Sequence, residues 1–136
     1  MRHRFPGRMA LAASVACALV PVPATLAKPP LTIDWRTSPL DLDLRGMNGA
    51  RYRFLCPPGK PVASLLTGSD PFTDASSICS AAAQTGVIQP TTGGPVTIEV
   101  RPGHDGYAGK MHNYIQSNSY PGRWEGSFVV VPARLR

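Results

Sequence analysis

The segment SSICSAAAQTG, residues 76–86, constrains the fold more than any other part of the chain. Its three serines, three alanines and single cysteine predict a helix with few large side chains and no broad charged face. Such a helix has nothing to present to solvent, and its small side chains let neighbouring backbones approach closely, so it belongs inside the fold. Thr73 or Asp74 can cap it by accepting hydrogen bonds from free amides of the first turn. Gly86 supplies the left-handed residue that commonly ends a helix. The pattern predicts a helix over 75–85, with Ile78, Ala82 and Thr85 on one side and Cys79 and Ala83 on the adjoining one. Cys79 is then either a staple or a displayed reactive thiol.

The start of the chain bears on that choice. Residues 1–9 carry Arg2, Arg4 and Arg8 without an acid, and an apolar run over 10–27 ends in small residues before Lys28. This is the pattern of a Sec-type secretory signal peptide, with cleavage after Ala27 or, three residues earlier, after Ala24. As a membrane anchor the run is about the minimum spanning length of roughly 17–20 residues, and Pro21 and Pro23 would break its helix. Cys17 lacks the large aliphatic residue that precedes a lipoprotein cysteine, and no later run approaches membrane length. The expected product is secreted or periplasmic, with no transmembrane segment once the signal is removed.

Removing residues 1–27 lowers the formal charge from +6 to +3 and takes Cys17 away. No clustered basic stripe of the kind nucleic acid requires remains in the sequence, so a nucleic-acid partner is not expected. Cys56 and Cys79 are left in an oxidising compartment, where a pair usually bridges. The competing reading is a thiol-dependent enzyme. Cys79 lies in the first half of the predicted helix, and His104 and His112 are available bases that could lower its pKa.

The rest of the mature chain reads as short elements punctuated by Pro and Gly. Residues 28–32 form a leader. Leu40, Leu42 and Leu44 alternate with charged residues and predict a strand, joined by an Asn48-Gly49 turn to a second strand over 51–56. Tyr52, Phe54 and Cys56 share a side of the latter. Residues 62–66 predict another short strand before a loop over 67–71. Val96, Ile98 and Val100 face one way in a strand that Pro102-Gly103 turns. An irregular stretch over 104–123 precedes a closing strand over 124–131, and 132–136 form a tail. Strands, one central helix, then strands again exclude a parallel βαβ sheet.

Sites of chemistry are sparse. Ser76 and Ser77 lack the Gly-x-Ser-x-Gly elbow of a hydrolase, and early-helix serines more often satisfy free amides. Asp41 and Asp43 merely alternate with leucines, and His104 and His112 lack zinc-ligand spacing. No catalytic residue, metal site or cofactor is therefore expected. Tyr107, Lys110, His112, Asn113, Tyr114, Arg123 and Trp124 are the candidate ligand-binding residues, because rings offer apolar area while cations and amides orient a sugar or an anionic headgroup. Alternatively, those rings pack the second half of the core.

Three motifs carry a resemblance. They are Phe54-Leu-Cys-Pro-Pro-Gly59, Phe72-Thr-Asp-Ala-Ser-Ser-Ile-Cys-Ser-Ala-Ala83 and Gly86-Val-Ile88, followed in order by Gly93-Gly94, Pro102-Gly103, Tyr107, Asn113, Ser117 and Ser127-Phe128. Over about residues 33–131 the chain resembles the LCCL domain, an extracellular module, and specifically a single-domain exported member of the bacterial type. The resemblance implies an α+β fold, with a central helix wrapped by antiparallel strands. It also implies a non-catalytic binding role, with lipid, lipopolysaccharide or carbohydrate-like ligands. A protein-interaction subunit of an envelope complex and a small exported hydrolase are the alternatives. The chain departs from the family pattern in three ways. Animal members typically carry four cysteines in two bridges. Here Lys60 stands where another cysteine would fall, and Cys56 and Cys79 belong to different bridges of that pattern, so a Cys56–Cys79 bond implies rearranged pairing. Gln84 replaces a usual histidine, and Tyr114 stands where glycine often follows the asparagine.

Overall fold

Period-two alternation along the strands becomes the two faces of one sheet. The computed structural model describes residues 29–133. The expected signal peptide over 1–27, Lys28 of the leader and the last three residues of the tail lie outside them. The chain runs through β1 (Leu31–Thr32), β2 (Arg51–Cys56), a 3₁₀ turn (Ala63–Leu65), β3 (Phe72–Thr73) and α1 (Ile78–Thr85). It continues through β4 (Gly94–His104), β5 (Met111–His112), β6 (Ile115–Gln116) and β7 (Trp124–Val130). Five strands form a sheet in the order β1-β2-β4-β7-β3, while β5 and β6 form a separate hairpin. Every strand pair is antiparallel except β1 with β2.

Phe54 and Cys56 of β2, Val96 and Ile98 of β4 and Phe128 and Val130 of β7 turn inward and meet α1 in one core. The helix is buried from Ile78 through Gln84, as its small side chains require. Cys56 and Cys79 are joined, tying the last residue of β2 to the first turn of α1. Cys79 is therefore a staple. The Phe54–Gly59 motif also has a packing reason. The Trp35 indole donates to the Pro57 carbonyl at 2.9 Å, and a Cβ on Gly59 would overlap that ring.

Several local expectations give way to competing hydrogen bonds. Residues 40–45 form successive turns, because the Ser38 amide and hydroxyl both donate to the Asp41 carboxylate and Leu44 N–H closes back on Pro39. Such side-chain bonds offer the backbone an alternative to a ladder. The partners of β2 are consequently β1 and β4, and the predicted hairpin does not form. Residues 62–66 hold a 3₁₀ turn, with Val62 N–H given to Ser80 Oγ. The helix starts at Ile78, capped by Ser77, whose Oγ accepts from Ser80 N–H at 3.0 Å. Thr73 is taken by β3, and the Asp74 carboxylate by Arg45. Gly86, at φ 85, ends the helix as expected. Pro102-Gly103 does not turn the chain: β4 runs through it to His104, opposite Trp124.

Replacing both bridged cysteines by alanine opens a loop with a sequence separation of 23. In the chain-entropy model this should cost about 3 kcal/mol. Denaturant unfolding of Cys56→Ala/Cys79→Ala should show that loss, and the wild type unfolded under reductant should match it. Equal stability of oxidised wild type and variant would refute a stapling role.

Candidate functional site

Asn113 and Tyr114 join β5 to β6 at φ 49 and φ 63. Left-handed backbone at both central residues is what a two-residue type I′ hairpin turn demands. Asparagine tolerates it, but a bulky side chain in this region costs about 1–2 kcal/mol. No packing offsets that cost, because Tyr114 is 102% exposed, and Met111 on the same hairpin is 61% exposed. Lys110 and His112 are exposed beside them and make no ion pair among the described residues.

One buried side chain fixes this hairpin. Gln84 is 0% exposed. Its amide nitrogen donates to the carbonyls of Lys110 at 2.8 Å and Ile115 at 3.0 Å, and its oxygen accepts from Ser69 Oγ at 3.0 Å. Asn113 returns the contact, its Nδ2 donating to the Gln84 carbonyl at 2.7 Å. That carbonyl is among the last four of the helix, which have no intrahelical donor. Between hairpin and helix end lies a cleft of 250 Å³ lined by Gly86, Ile88, Pro90 and Tyr114 among others.

The other candidates lie elsewhere. Tyr107 is 5% exposed. Its hydroxyl accepts from His104 N–H and donates to the Trp124 carbonyl, both at 3.1 Å, and burial pushes the phenol's pKa up. Its ring is thus a core ring. Arg123 is held between Asp105 at 2.9 Å and Glu125 at 2.8 Å, which push its pKa up and neutralise its charge toward any ligand. Trp124 donates its indole N–H to Asp74 at 2.7 Å, lies under the Arg45 guanidinium at 5.5 Å and meets Tyr120 edge-on.

Asp74 is the hub of this second group and is 1% exposed. Arg45 grips both its oxygens, at 2.8 and 2.9 Å. Burial is the largest influence on its carboxyl and pushes the pKa up, but the bonds from Arg45 and Trp124 outweigh it and hold the group below the usual carboxylate range. Gly126 permits the approach, since a Cβ there would overlap the carboxylate.

The seven candidates therefore separate into Lys110, His112, Asn113 and Tyr114 at the hairpin and Tyr107, Arg123 and Trp124 at the far group. No hydrogen bond, ion pair or ring contact among the described residues links the two sets. Met111 escaped the sequence reading because nothing marks a lone methionine as exposed. Asp74 and Arg45 lie 29 residues apart, a pairing no periodicity reveals.

The family model for the LCCL domain matches residues 33–128. The chain belongs to the LCCL family. Among similar proteins, vitrin from Bos taurus is 40% identical over 94 residues, covering 67% of this chain and 14% of vitrin. Cochlin from Homo sapiens is 34% identical over 127 residues, covering 92% of this chain and 22% of cochlin. Cochlin from Bos taurus is 35% identical over 99 residues, covering 71% of this chain and 18% of that protein. The chain thus spans under a quarter of these relatives, all of them mammalian; none has a bacterial origin. No helix among the described residues of this LCCL chain is long and apolar enough to cross a membrane.

The lowered pKa of Asp74 sets a sign. A carboxylate depressed in the folded state contributes stability that is complete above its ordinary unfolded value, near pH 4, and is lost as pH falls through the lower folded one. The wild-type melting temperature should fall through that window. Asp74→Asn should be less stable near neutrality, with a shallower acid limb. An acid limb untouched by the substitution would place the sensitivity elsewhere. Gln84→Ala removes three hydrogen bonds, to the Lys110 and Ile115 carbonyls and from the Ser69 hydroxyl, and should cost about 1–3 kcal/mol. Amide exchange should speed up over residues 110–117; exchange unchanged there would remove Gln84 as the hairpin's anchor.

Proposed function

We propose that this LCCL chain is an exported, non-catalytic binding module that engages its ligand through the β5–β6 hairpin. Of the lipid, lipopolysaccharide and carbohydrate classes, an anionic lipid or lipopolysaccharide surface fits the hairpin best. The observation that carries this is Tyr114, a bulky residue held at φ 63 and wholly exposed. Unfavourable backbone that the local packing does not require tends to mark functional positions. Around it stand apolar Met111, the cation Lys110 and the imidazole of His112. A ring with a polar tip and a thioether supply apolar area at headgroup depth, while the Lys110 ammonium meets phosphates and the imidazole can donate to them. The far group suits a sugar less well, because the Trp124 indole is engaged by Asp74 and Arg45.

Export is supported by the charge and hydropathy pattern of residues 1–27 and by a bridged cysteine pair, which an oxidising compartment favours. The single bridge among the described residues and the departures at Lys60 and Gln84 favour the bacterial type over the four-cysteine animal pattern. Hydrolase chemistry is disfavoured by the serines themselves. Ser76 and Ser77 are buried, with Ser76 Oγ engaged by Thr67 and Thr73 and Ser77 Oγ donating to the Trp35 carbonyl.

Flotation with phosphatidylglycerol-containing vesicles tests the reading. Tyr114→Gly relieves the left-handed strain, so it should raise stability by about 1 kcal/mol while weakening vesicle binding. Lys110→Gln with His112→Gln should weaken binding and flatten its salt dependence. Binding that survives all three substitutions would rule the hairpin out, and capture of an envelope protein by the hairpin without vesicle binding would favour the interaction-subunit alternative.

A further inference from the structure

The face of the sheet turned away from α1 carries a second, unassigned feature. A cleft of 310 Å³ there has Arg51 and Arg53 as its charged lining residues and, among the described residues, no carboxylate. The two alternate along β2, so both side chains leave the same face about 7 Å apart. Across the ladder, Arg53 faces Thr97 and Arg51 faces Glu99. Glu99 is committed to Arg101 at 2.7 Å and stands 3.8 Å from Arg51, too far for a hydrogen bond. Arg53 meets no carboxylate among the described residues. The remaining walls are largely apolar, with Val87, Pro95, Val131 and Pro132. A neighbouring cleft of 480 Å³ shares Arg51, but there Glu99 and Asp70 balance Arg51 and Arg101. In the smaller cleft Arg53 is left without an ion-pair partner among the described residues, and Arg51 beside it is held only loosely by Glu99.

The geometry points to a small-molecule site between Arg51 and Arg53 for an organic phosphate, its oxyanion on the two guanidiniums and its apolar portion on Val131 and Pro132. Guanidinium forks match phosphate oxygens in geometry as well as charge. The volume is at the lower end of small-ligand sites, about 300 Å³. A second copy presenting the same face would set arginine against arginine. The cleft shares no lining residue with the hairpin cleft, so this site stands or falls independently of the hairpin reading.

Calorimetric titration of the chain with octyl phosphate below its micelle concentration tests the site, with inorganic phosphate and octyl glucoside run in parallel. Octyl phosphate should bind at least about tenfold more tightly than either control. Arg51→Gln/Arg53→Gln should weaken it by about tenfold or more, the effect expected on losing charged hydrogen bonds, with the melting temperature kept. Should the double variant unfold, Arg53→Gln alone serves, because that exposed side chain has no ion-pair partner to lose. Four results would each overturn the assignment: no binding of octyl phosphate, equal binding of octyl glucoside, equal binding of inorganic phosphate, or affinity unchanged by the arginine substitutions. Loss of binding in Lys110→Gln/His112→Gln instead would move the ligand to the hairpin and overturn it as well.

Discussion

A helix buried along its length must satisfy every polar group it carries, because an unpaired buried donor or acceptor costs several kcal/mol on the order of a whole hydrogen bond. In this domain that requirement shapes the loops. Ser77 reaches the Trp35 carbonyl, Ser80 takes the Val62 amide, and Gln84 holds Lys110, Ile115 and Ser69. Just before the helix, Ser76 takes the Thr67 amide. Among the described residues no buried side-chain polar atom lacks a partner. Segments with almost no regular structure of their own are thereby placed by hooks projecting from one eight-residue helix. The alanines between the hooks allow the strands to come close.

Asp74 does for the opposite end what Gln84 does for the hairpin. Its carboxylate gathers Arg45 and Trp124, while its backbone pairs with Gly126 and Leu40. Removing a carboxylate from water opposes folding, and a buried ion pair often adds little net stability. What Asp74 provides is a fixed junction of the 38–45 turns, β3 and β7. Trp124 is fixed in that junction, which is why an aromatic that looks like a ligand platform in one dimension serves packing in three.

Strands β2, β4 and β7, the buried helix and the cysteine pair are legible because each follows a local rule: period-two alternation, a run of small residues, two thiols behind a start that reads as a signal. The two-residue strands β1, β3, β5 and β6, too short to show a period, fall in stretches that read as leader, helix cap and irregular chain. The failures share a cause. Leu40, Leu42 and Leu44 alternate as a strand does, yet Ser38 and Asp41 offered the backbone closer partners. Thr73 and Asp74 have the chemistry of caps but were claimed by β3 and Arg45. The basic face of the sheet was hidden for a different reason. Arg51 and Arg53 are close in sequence, but strand pairing decides that Thr97, not an acid, faces Arg53. Within the candidate site, Tyr107 and Tyr114 look equivalent as letters; burial of one and exposure of the other is decided by which ring can reach the His104 amide and Trp124 carbonyl.

Gln84 carries one more consequence. An imidazole in its place would change its donors and acceptors as it gained a proton, since a neutral ring has one of each and a charged ring has only donors. The hold on Lys110 and Ile115 would then vary between a neutral and an acidified surrounding. A carboxamide keeps its two donors and its acceptor throughout. The hairpin's anchor at Gln84 therefore does not itself respond to pH, and its hold on Lys110 and Ile115 is the same in acid as near neutrality.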